Sequence, residues 1–202
     1  MCIPEDYYSE KMQDFIRKNC AELKHRWIYN IINGNEHETE IVLLRTRDWT
    51  LCRDGNASDG KWLVVLHDTS LHSIRDLRQK HVNILLGMRS AVVDALERHY
   101  NRPCAAVDFF VHYLPSTFQL HVHVHIPCIL YRSSAGQEDT NREELFRFKY
   151  LNRRHALKHI IRNLLFRDTH YRDCILIGTL CRTSKSSAVY SSMSQKVLSS
   201  LA

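Results

Sequence analysis

The chain has 202 residues, 44% of them hydrophobic and 25% charged, so it can bury the core of one domain and lacks the composition of a disordered protein. Seven cysteines, an odd number with no C-x-x-C pair, argue against a disulfide framework and for reduced thiols, and no apolar run approaches the roughly 18 residues of a membrane span. The formal net charge of +6 suits anionic partners such as nucleotides, or simple solubility, but the basic residues are scattered and match no dedicated nucleic-acid-binding motif.

Hydrophobic periodicity and turn signals divide the chain into helices and strands. The predicted helices cover residues 1–33, His81–Tyr100 and 141–166, the last of which opens with a capping box. The predicted strands are Glu40–Leu44, Trp49–Cys52, Trp62–Leu66, Ala105–Tyr113, Leu120–Leu130 and Cys174–Leu180. Short loops between neighbouring strands favour antiparallel pairing. The sequence therefore predicts an α+β fold, a mostly antiparallel sheet with helices packed on one face.

Three histidines in the segment 120–126 alternate with branched apolar residues. Because side chains alternate along a strand, His121, His123 and His125 are predicted to share one face while the branched residues enter the core. Such a row could bind a metal, although no cysteine or carboxylate pair completes an obvious site, or it could be structural. The third interpretation, which we favour, is nucleophilic catalysis by an imidazole that its neighbours orient.

The residues before this strand fit a phosphate site. Pro115 and Ser116 form a turn signal that brings His112 and Ser116 towards the row. The Ser116 hydroxyl, the His112 ring and backbone N–H groups would then supply donors to a phosphate. The alternatives are a turn-capping serine and a half-buried sheet histidine.

With these residues in place, the chain resembles the histidine triad (HIT) superfamily. The run His112-Tyr113-Leu114-Pro115-Ser116, followed by Gln119-Leu120-His121-Val122-His123, is similar to the scavenger mRNA-decapping enzymes (DcpS). The segments Trp27–Ile32 and Ser73–Leu77 match two further blocks of that family in the same order. The resemblance covers about residues 5–180 and implies a HIT-like domain.

The resemblance also implies an activity. The family hydrolyses the cap, m7GpppN or short capped RNA, in 3′-to-5′ mRNA decay, passes through a nucleotidyl-histidine and releases m7GMP without a metal or other cofactor. The resemblance further implies a homodimer that does not associate with membranes. It implies a location in the cytoplasm, with the nucleus as a second location. Two alternatives stay open: another HIT hydrolase that acts on dinucleoside polyphosphates or phosphoramidates, and a catalytically weak cap- or nucleotide-binding module.

The catalytic residues implied by the resemblance are His121, His123 and His112. His121 matches the nucleophile, and His123 and His112 would manage protons and charge. The additional His125 leaves open a shifted register in which His123 is the nucleophile. Gln119 stands where the family has its first triad histidine.

The remaining site residues are implied to bind substrate. Trp27 would stack on 7-methylguanine, with a core tryptophan as the alternative. The family's base-binding glutamate aligns with His37, so the neighbouring Glu36 or Glu38 would replace it, and the family's lysine after Asp54 is missing. The implied substrate-binding residues are Trp27, Asp54, Ser116, Gln119, His125, Glu36 and Glu38.

We divide the chain into three segments on this basis. Residues 1–40 would be a short N-terminal helical segment, the remnant of a larger family-specific region that closes over the cap. Residues 41–182 would form the HIT catalytic domain, and residues 183–202 a Ser-rich flexible tail.

Overall fold

The computed structural model describes residues 2–3, 16–22, 25–35, 41–55, 60–104, 106–127, 153–174 and 176–177. Its centre is a six-stranded sheet in the order β2-β3-β4-β6-β5-β7, in which every neighbouring pair is antiparallel. The strands are β1 (Cys2–Ile3), β2 (Val42–Arg45), β3 (Trp49–Arg53), β4 (Lys61–Leu66), β5 (Asp108–His112), β6 (His121–His125), β7 (Arg154–Ala156) and β8 (Leu176–Ile177). The α+β class predicted from the sequence is confirmed.

Helices and short helical turns surround this sheet. The helices are α1 (described part 16–21), α2 (Arg26–Asn33), α3 (Val82–Tyr100), α4 (Leu157–Phe166) and α5 (His170–Asp173). Two 3-10 turns, Ile74–Asp76 and Gln79–His81, lead from β4 into α3. Among the described residues, none of the helices combines the length and the apolar character needed to cross a bilayer.

The main core lies on one face of the sheet, against α3 and α4. Trp62 and Val64 of β4 pair with Val124 and Val122 of β6, and all four side chains are at most 1% exposed. The apolar stripe of α3 predicted from its periodicity packs onto this face. Its buried members are Val82, Leu85, Met88, Val92, Ala95 and Leu96.

Helix α2 lies on the opposite face, which corrects the prediction that helices cover only one. Ile28 and Ile31 of α2 are buried against Leu63 and Val65 of β4. These β4 side chains alternate with Trp62 and Val64, so the strand is apolar on both faces and needs a helix on each. A sequence in which both faces of a strand are apolar does not say which helix covers which face.

The predicted continuous helix over residues 1–33 is also wrong in part. Cys2 and Ile3 form a strand that pairs antiparallel with β8. Helix α2 begins only after His25, whose buried ring is engaged in a tertiary hydrogen bond, Nδ1 to the Thr117 hydroxyl at 2.8 Å. Helix α2 ends at Asn33, where Gly34 caps it in the left-handed conformation at a φ of 72°.

The third predicted helix, over residues 141–166, is wrong at residues 154–156, and its residues before 153 lie outside the described part of the chain. Residues 154–156 form β7, which covers the edge of β5 and satisfies its backbone groups, and α4 begins at Leu157. The apolar spacing that assigned His155 to a helix is equally compatible with a short strand. Residues 141–152 and 178–202, which include the predicted tail, lie outside the described residues.

Arg75 is a buried cation that joins distant parts of the chain. It is 2% exposed, and its Nε donates to the Tyr113 hydroxyl at 2.8 Å. Its Nη1 donates to the carbonyls of Tyr171, Arg172 and Cys174 at 3.3, 3.0 and 3.2 Å, at the end of α5. A cation is favourable there because the carbonyls at a helix C-terminus carry partial negative charge.

Candidate active site

The imidazole row predicted from the alternating pattern is present on β6. His121, His123 and His125 lie on the face opposite Val122 and Val124, and the centroids of the His121 and His123 rings are 5.1 Å apart. Strand β6 lies between β4 and β5, so the row occupies the middle of the sheet. This is the face that also carries α2.

Strand β5 adds two further rings to the row. Its Phe110 pairs with His123, and the two rings stack at 5.2 Å with 8° between their planes. His112, two residues further along the same face, lies 4.2 Å from the His123 ring. The structure therefore brings the three predicted catalytic histidines together.

A hydrogen bond determines the tautomer of the His121 ring. Its Nδ1 lies 2.7 Å from the carbonyl oxygen of Gln119, and because a carbonyl can only accept, Nδ1 carries the proton. The lone pair is thereby left on Nε2. Burial, reinforced by the charge of His123, lowers the pKa of His121 from 6.5 to about 4, so the ring is neutral at neutral pH. A neutral imidazole with a free Nε2 lone pair is a nucleophile.

Gln119 holds the start of β6 in place. Its side-chain amide donates to the carbonyls of Leu66 and Asp68 at 2.8 and 3.0 Å, while its Oε1 is buried without a hydrogen-bond partner among the described residues. Both amide hydrogens are therefore used within the protein. The predicted contact between Gln119 and phosphate stays a prediction, and in this arrangement it would require those two bonds to break.

Asp54 supplies a negative charge beside the row. Its carboxylate Oδ2 lies 3.8 Å from Nδ1 of His123. Burial alone would raise the pKa of Asp54, but the neighbouring imidazoles, His123 first, hold it below its ordinary value. The structure thus places Asp54 next to His123, and its predicted role in binding substrate stays a prediction.

The other predicted binding residues are spread around this centre. Ser116 is exposed and makes no hydrogen bond within the described part of the chain, and His125 packs edge-on against Phe110 at 4.9 Å. Trp27 is half-buried on α2 and packs against the cluster that contains Leu63, the β4 partner of His123. Glu36 and Glu38 lie outside the described residues, so their predicted role stays a prediction.

Two residues of this centre were missed from the sequence. Phe110 is 4% exposed and stacks on His123, and the guanidinium of Arg154 lies 4.1 Å from the centroid of the Phe110 ring. The period-two spacing of Phe110 and His112 could have identified the phenylalanine. Arg154 carried no such signal, because its strand was predicted as helix.

The buried histidines make stability depend on pH. Burial and neighbouring cations lower the pKa of His112 to about 2 and that of His125 to about 4, in the same direction as His121. In the unfolded chain these rings protonate near pH 6.5, so below that pH the unfolded state binds more protons and the free energy of unfolding falls as the pH falls.

We expect His121 alone to lower the free energy of unfolding by about 1.4 kcal/mol for each pH unit between about 6.5 and 4. Urea unfolding at several pH values across this range measures the slope, and His121→Asn should make the slope shallower by about that amount while His112 and His125 keep their contributions. A stability that is constant across this range would contradict burial of neutral imidazoles.

The described residues contain no group of three or more His, Cys, Asp or Glu side chains arranged to hold a metal ion. The centre is instead a set of imidazoles around one aromatic ring, with a carboxylate on one side and a guanidinium on the other. Such a set can attack a phosphorus atom, transfer protons and bind negative charge.

Comparison with known proteins gives one consistent result. The family model described as "Scavenger mRNA decapping enzyme C-term binding" matches residues 26–131, just over half of the chain. That range contains Trp27, Asp54 and the whole imidazole row.

Similar curated proteins are each named m7GpppX diphosphatase. The chain is 37% identical to the Schizosaccharomyces pombe protein over 109 residues, which cover 49% of this chain and 35% of that protein. It is 26% identical to the Caenorhabditis elegans protein over 130 residues (58% and 40%) and 24% identical to the Homo sapiens protein over 172 residues (77% and 44%). The matched part spans less than half the length of these relatives.

Proposed function

The chain belongs to the scavenger mRNA decapping enzyme C-terminal family, and from this premise we propose that it hydrolyses m7GpppN and releases m7GMP in 3′-to-5′ mRNA decay. The observation that carries the proposal is the neutral His121 ring, whose Nδ1 proton is held by the Gln119 carbonyl in a row with His123 and His112. The name shared by the relatives, m7GpppX diphosphatase, supports the same substrate.

The proposed reaction has two steps at one site. Nε2 of His121 attacks the phosphorus next to 7-methylguanosine, the phosphoanhydride bond breaks, and the nucleoside diphosphate leaves. Water then attacks the same phosphorus, the N–P bond breaks, and m7GMP is released. In the intermediate the imidazole is cationic, and the Gln119 carbonyl stabilises it by accepting the hydrogen bond from Nδ1–H.

Protons must reach the leaving oxygen and be taken from water. The centroid of the His123 ring lies 5.1 Å from that of His121, and the His112 ring lies 4.2 Å from the His123 ring. Asp54 places a carboxylate beside His123. We assign the proton transfers to His123, with Asp54 as the charge that supports it and His112 as a further donor to phosphate.

Product analysis tests the proposed function. The protein is incubated with m7GpppG without added metal, and the products are identified by mass spectrometry beside a His121→Asn control. We expect m7GMP and GDP from the wild type only. Cleavage of diadenosine polyphosphates or adenosine phosphoramidate in preference to m7GpppG would favour another HIT hydrolase, and binding of m7GDP without any product would favour a binding module.

Trp27 provides a test of base recognition. Trp49 and Trp62 are 5% and 1% exposed, whereas Trp27 is half-buried, so a fluorescence change on adding m7GDP should come from Trp27. We expect quenching by m7GDP, and Trp27→Ala should weaken m7GDP binding by about 3- to 30-fold while GDP binding changes less. Equal losses for both nucleotides would mean that Trp27 only packs against the core.

We also propose that the chain divides after residues 40 and 182 into the three segments defined from the sequence. We further propose that the protein forms a homodimer and acts in the cytoplasm and the nucleus. Two apolar side chains at the end of α4, Leu165 and Phe166, are 56% and 91% exposed in the single chain. A dimer interface would cover such exposed apolar side chains. Light scattering on the purified protein would give the oligomeric state.

A further inference from the structure

The segment 116–119, which leads into β6, is held by side chains from α1 and from the start of α2. The Thr117 hydroxyl lies 2.8 Å from Nδ1 of His25, and the Phe118 N–H donates to Oδ1 of Asn19 at 3.4 Å. All four of these residues are buried. The hydrogen bond between His25 and Thr117 is the shorter of the two, and it joins side chains 92 residues apart in the chain.

Both ends of segment 116–119 belong to the proposed site. Ser116, at its start, is the exposed residue whose hydroxyl is predicted to contact phosphate. At its end, the Gln119 carbonyl accepts from Nδ1–H of His121 at 2.7 Å and thereby leaves the lone pair on Nε2. A displacement of the segment would move this carbonyl away from the ring. The tautomer of the proposed nucleophile therefore depends on how segment 116–119 is anchored.

His25 occupies the N-cap position of α2 but does not cap the helix. Its side chain makes no cap hydrogen bond, and its Nδ1 is engaged with Thr117 instead. Helix stability alone would favour Ser, Thr, Asp or Asn at this position, because their short side chains accept from the first free N–H groups of the helix. His25 therefore serves the contact with segment 116–119 rather than the helix that it precedes.

Helix α2 is a firm support for that contact. Its Ile28 and Ile31 are buried against β4, the strand that pairs with β6. Trp27, which is predicted to stack on 7-methylguanine, follows His25 by two residues. The His25–Thr117 hydrogen bond thus joins the helix of the predicted base site to the segment that orients His121.

We propose that His25 is a positioning residue that holds the His121 nucleophile in its reactive tautomer by anchoring segment 116–119 through the Thr117 hydroxyl. The proposal rests on the proposed function and adds to it a residue that acts without touching substrate. The Thr117 hydroxyl has no second hydrogen-bond partner among the described residues. Loss of the His25 ring would therefore leave a buried hydroxyl unpaired, and the segment would shift to find another partner for it.

Matched variants of His25 separate the hydrogen bond from the bulk of the ring. The amide of His25→Asn can occupy the position of Nδ1 and keep the bond to Thr117, whereas His25→Leu fills much of the space without a polar atom. We expect His25→Leu to lower kcat for m7GpppG by about 10- to 100-fold and His25→Asn to stay within about threefold of wild type. Binding of 7-methylguanosine, which has no phosphate, should change in neither variant.

Variants of Thr117 test the same bond from its other end. Thr117→Val removes the hydroxyl and Thr117→Ser keeps it, so only the valine variant should lose turnover, and it tests the proposal even where His25→Leu does not fold. When His25→Leu and Thr117→Val are combined, the loss should be no greater than the larger single loss, because both changes break one interaction.

The tautomer of His121 gives a measurement that does not depend on turnover. In NMR spectra of isotope-labelled protein, the His121 ring should carry its proton on Nδ1 in the wild type and in His25→Asn. A second population with the proton on Nε2 should appear in His25→Leu. If the wild type cleaves no m7GpppG, the proposed function fails, and the tautomer still tests whether His25 anchors the segment.

Four results would overturn the inference. Wild-type kcat in His25→Leu, or an unchanged His121 tautomer in that variant, would show that the hydrogen bond does not position the nucleophile. Equal losses in His25→Leu and His25→Asn would show that the shape of the ring matters and not its bond to Thr117. Additive losses in the combined variant would show that the two side chains act separately.

Discussion

His121→Asn is expected to lower kcat/KM for m7GpppG by about 10⁴-fold or more, because it removes the proposed nucleophile while leaving the proposed phosphate site. His121 is the ring whose Nδ1 proton is fixed by the Gln119 carbonyl and whose pKa is lowered to about 4 by burial, so at neutral pH its Nε2 is unprotonated. Steady-state kinetics with m7GpppG measure the effect. Thermal unfolding of each variant verifies that it is folded.

Variants of the neighbouring histidines test which histidine of the row is the nucleophile. We expect His123→Asn to lose about 10²- to 10⁴-fold, as removal of a proton-transfer group does, and His125→Asn to lose less than about tenfold. If His123→Asn were inactive while His121→Asn kept measurable turnover, the nucleophile would be His123, the shifted register that the third histidine leaves open.

The second large effect concerns stability. Arg75→Met is expected to lower the free energy of unfolding by about 3–5 kcal/mol, because it leaves the Tyr113 hydroxyl and the carbonyls at the end of α5 without their donor in a buried environment. Urea unfolding measures this loss. Lys80→Ala, at an exposed position close by, is the matched control and should change stability by less than about 0.5 kcal/mol.

The Arg75 result also bears on the site, because Tyr113 directly follows His112. A variant that is destabilised but folded should keep the nucleophile, so its kcat/KM should fall far less than that of His121→Asn. A loss of stability below about 1 kcal/mol would mean that water replaces the guanidinium among these carbonyls and that Arg75 does not organise this part of the fold.

Local patterns were enough to predict the row of imidazoles on β6. The period-two alternation of His121, His123 and His125 with valines determines which residues share a face, and the structure confirms that arrangement. The apolar stripe of α3 and the α+β class of the fold were also predicted from local patterns and are confirmed. Each of these features depends on residues a few positions apart, whose relation follows from strand or helix geometry alone.

Features that depend on distant partners could not be predicted. The carbonyls that accept from Arg75 lie 96 to 99 residues away along the chain, and no local sequence pattern indicates that contact. The position of α2 on the histidine face depends on how β4 buries both of its sides. Similarly, β7 was predicted as helix because its three residues acquire strand geometry only by pairing with β5.

The most direct test of the account is to trap the intermediate. The protein is mixed with m7GpppG labelled at the phosphate next to 7-methylguanosine, quenched in alkali within the first turnover, which preserves a phosphoramidate, and digested for mass spectrometry. We predict label as an m7GMP adduct on the peptide containing residues 121–125, with fragmentation placing it on His121, and no adduct in His121→Asn. Release of m7GMP by the wild type with no adduct at any time point, or an adduct on His123, would contradict His121 as the nucleophile.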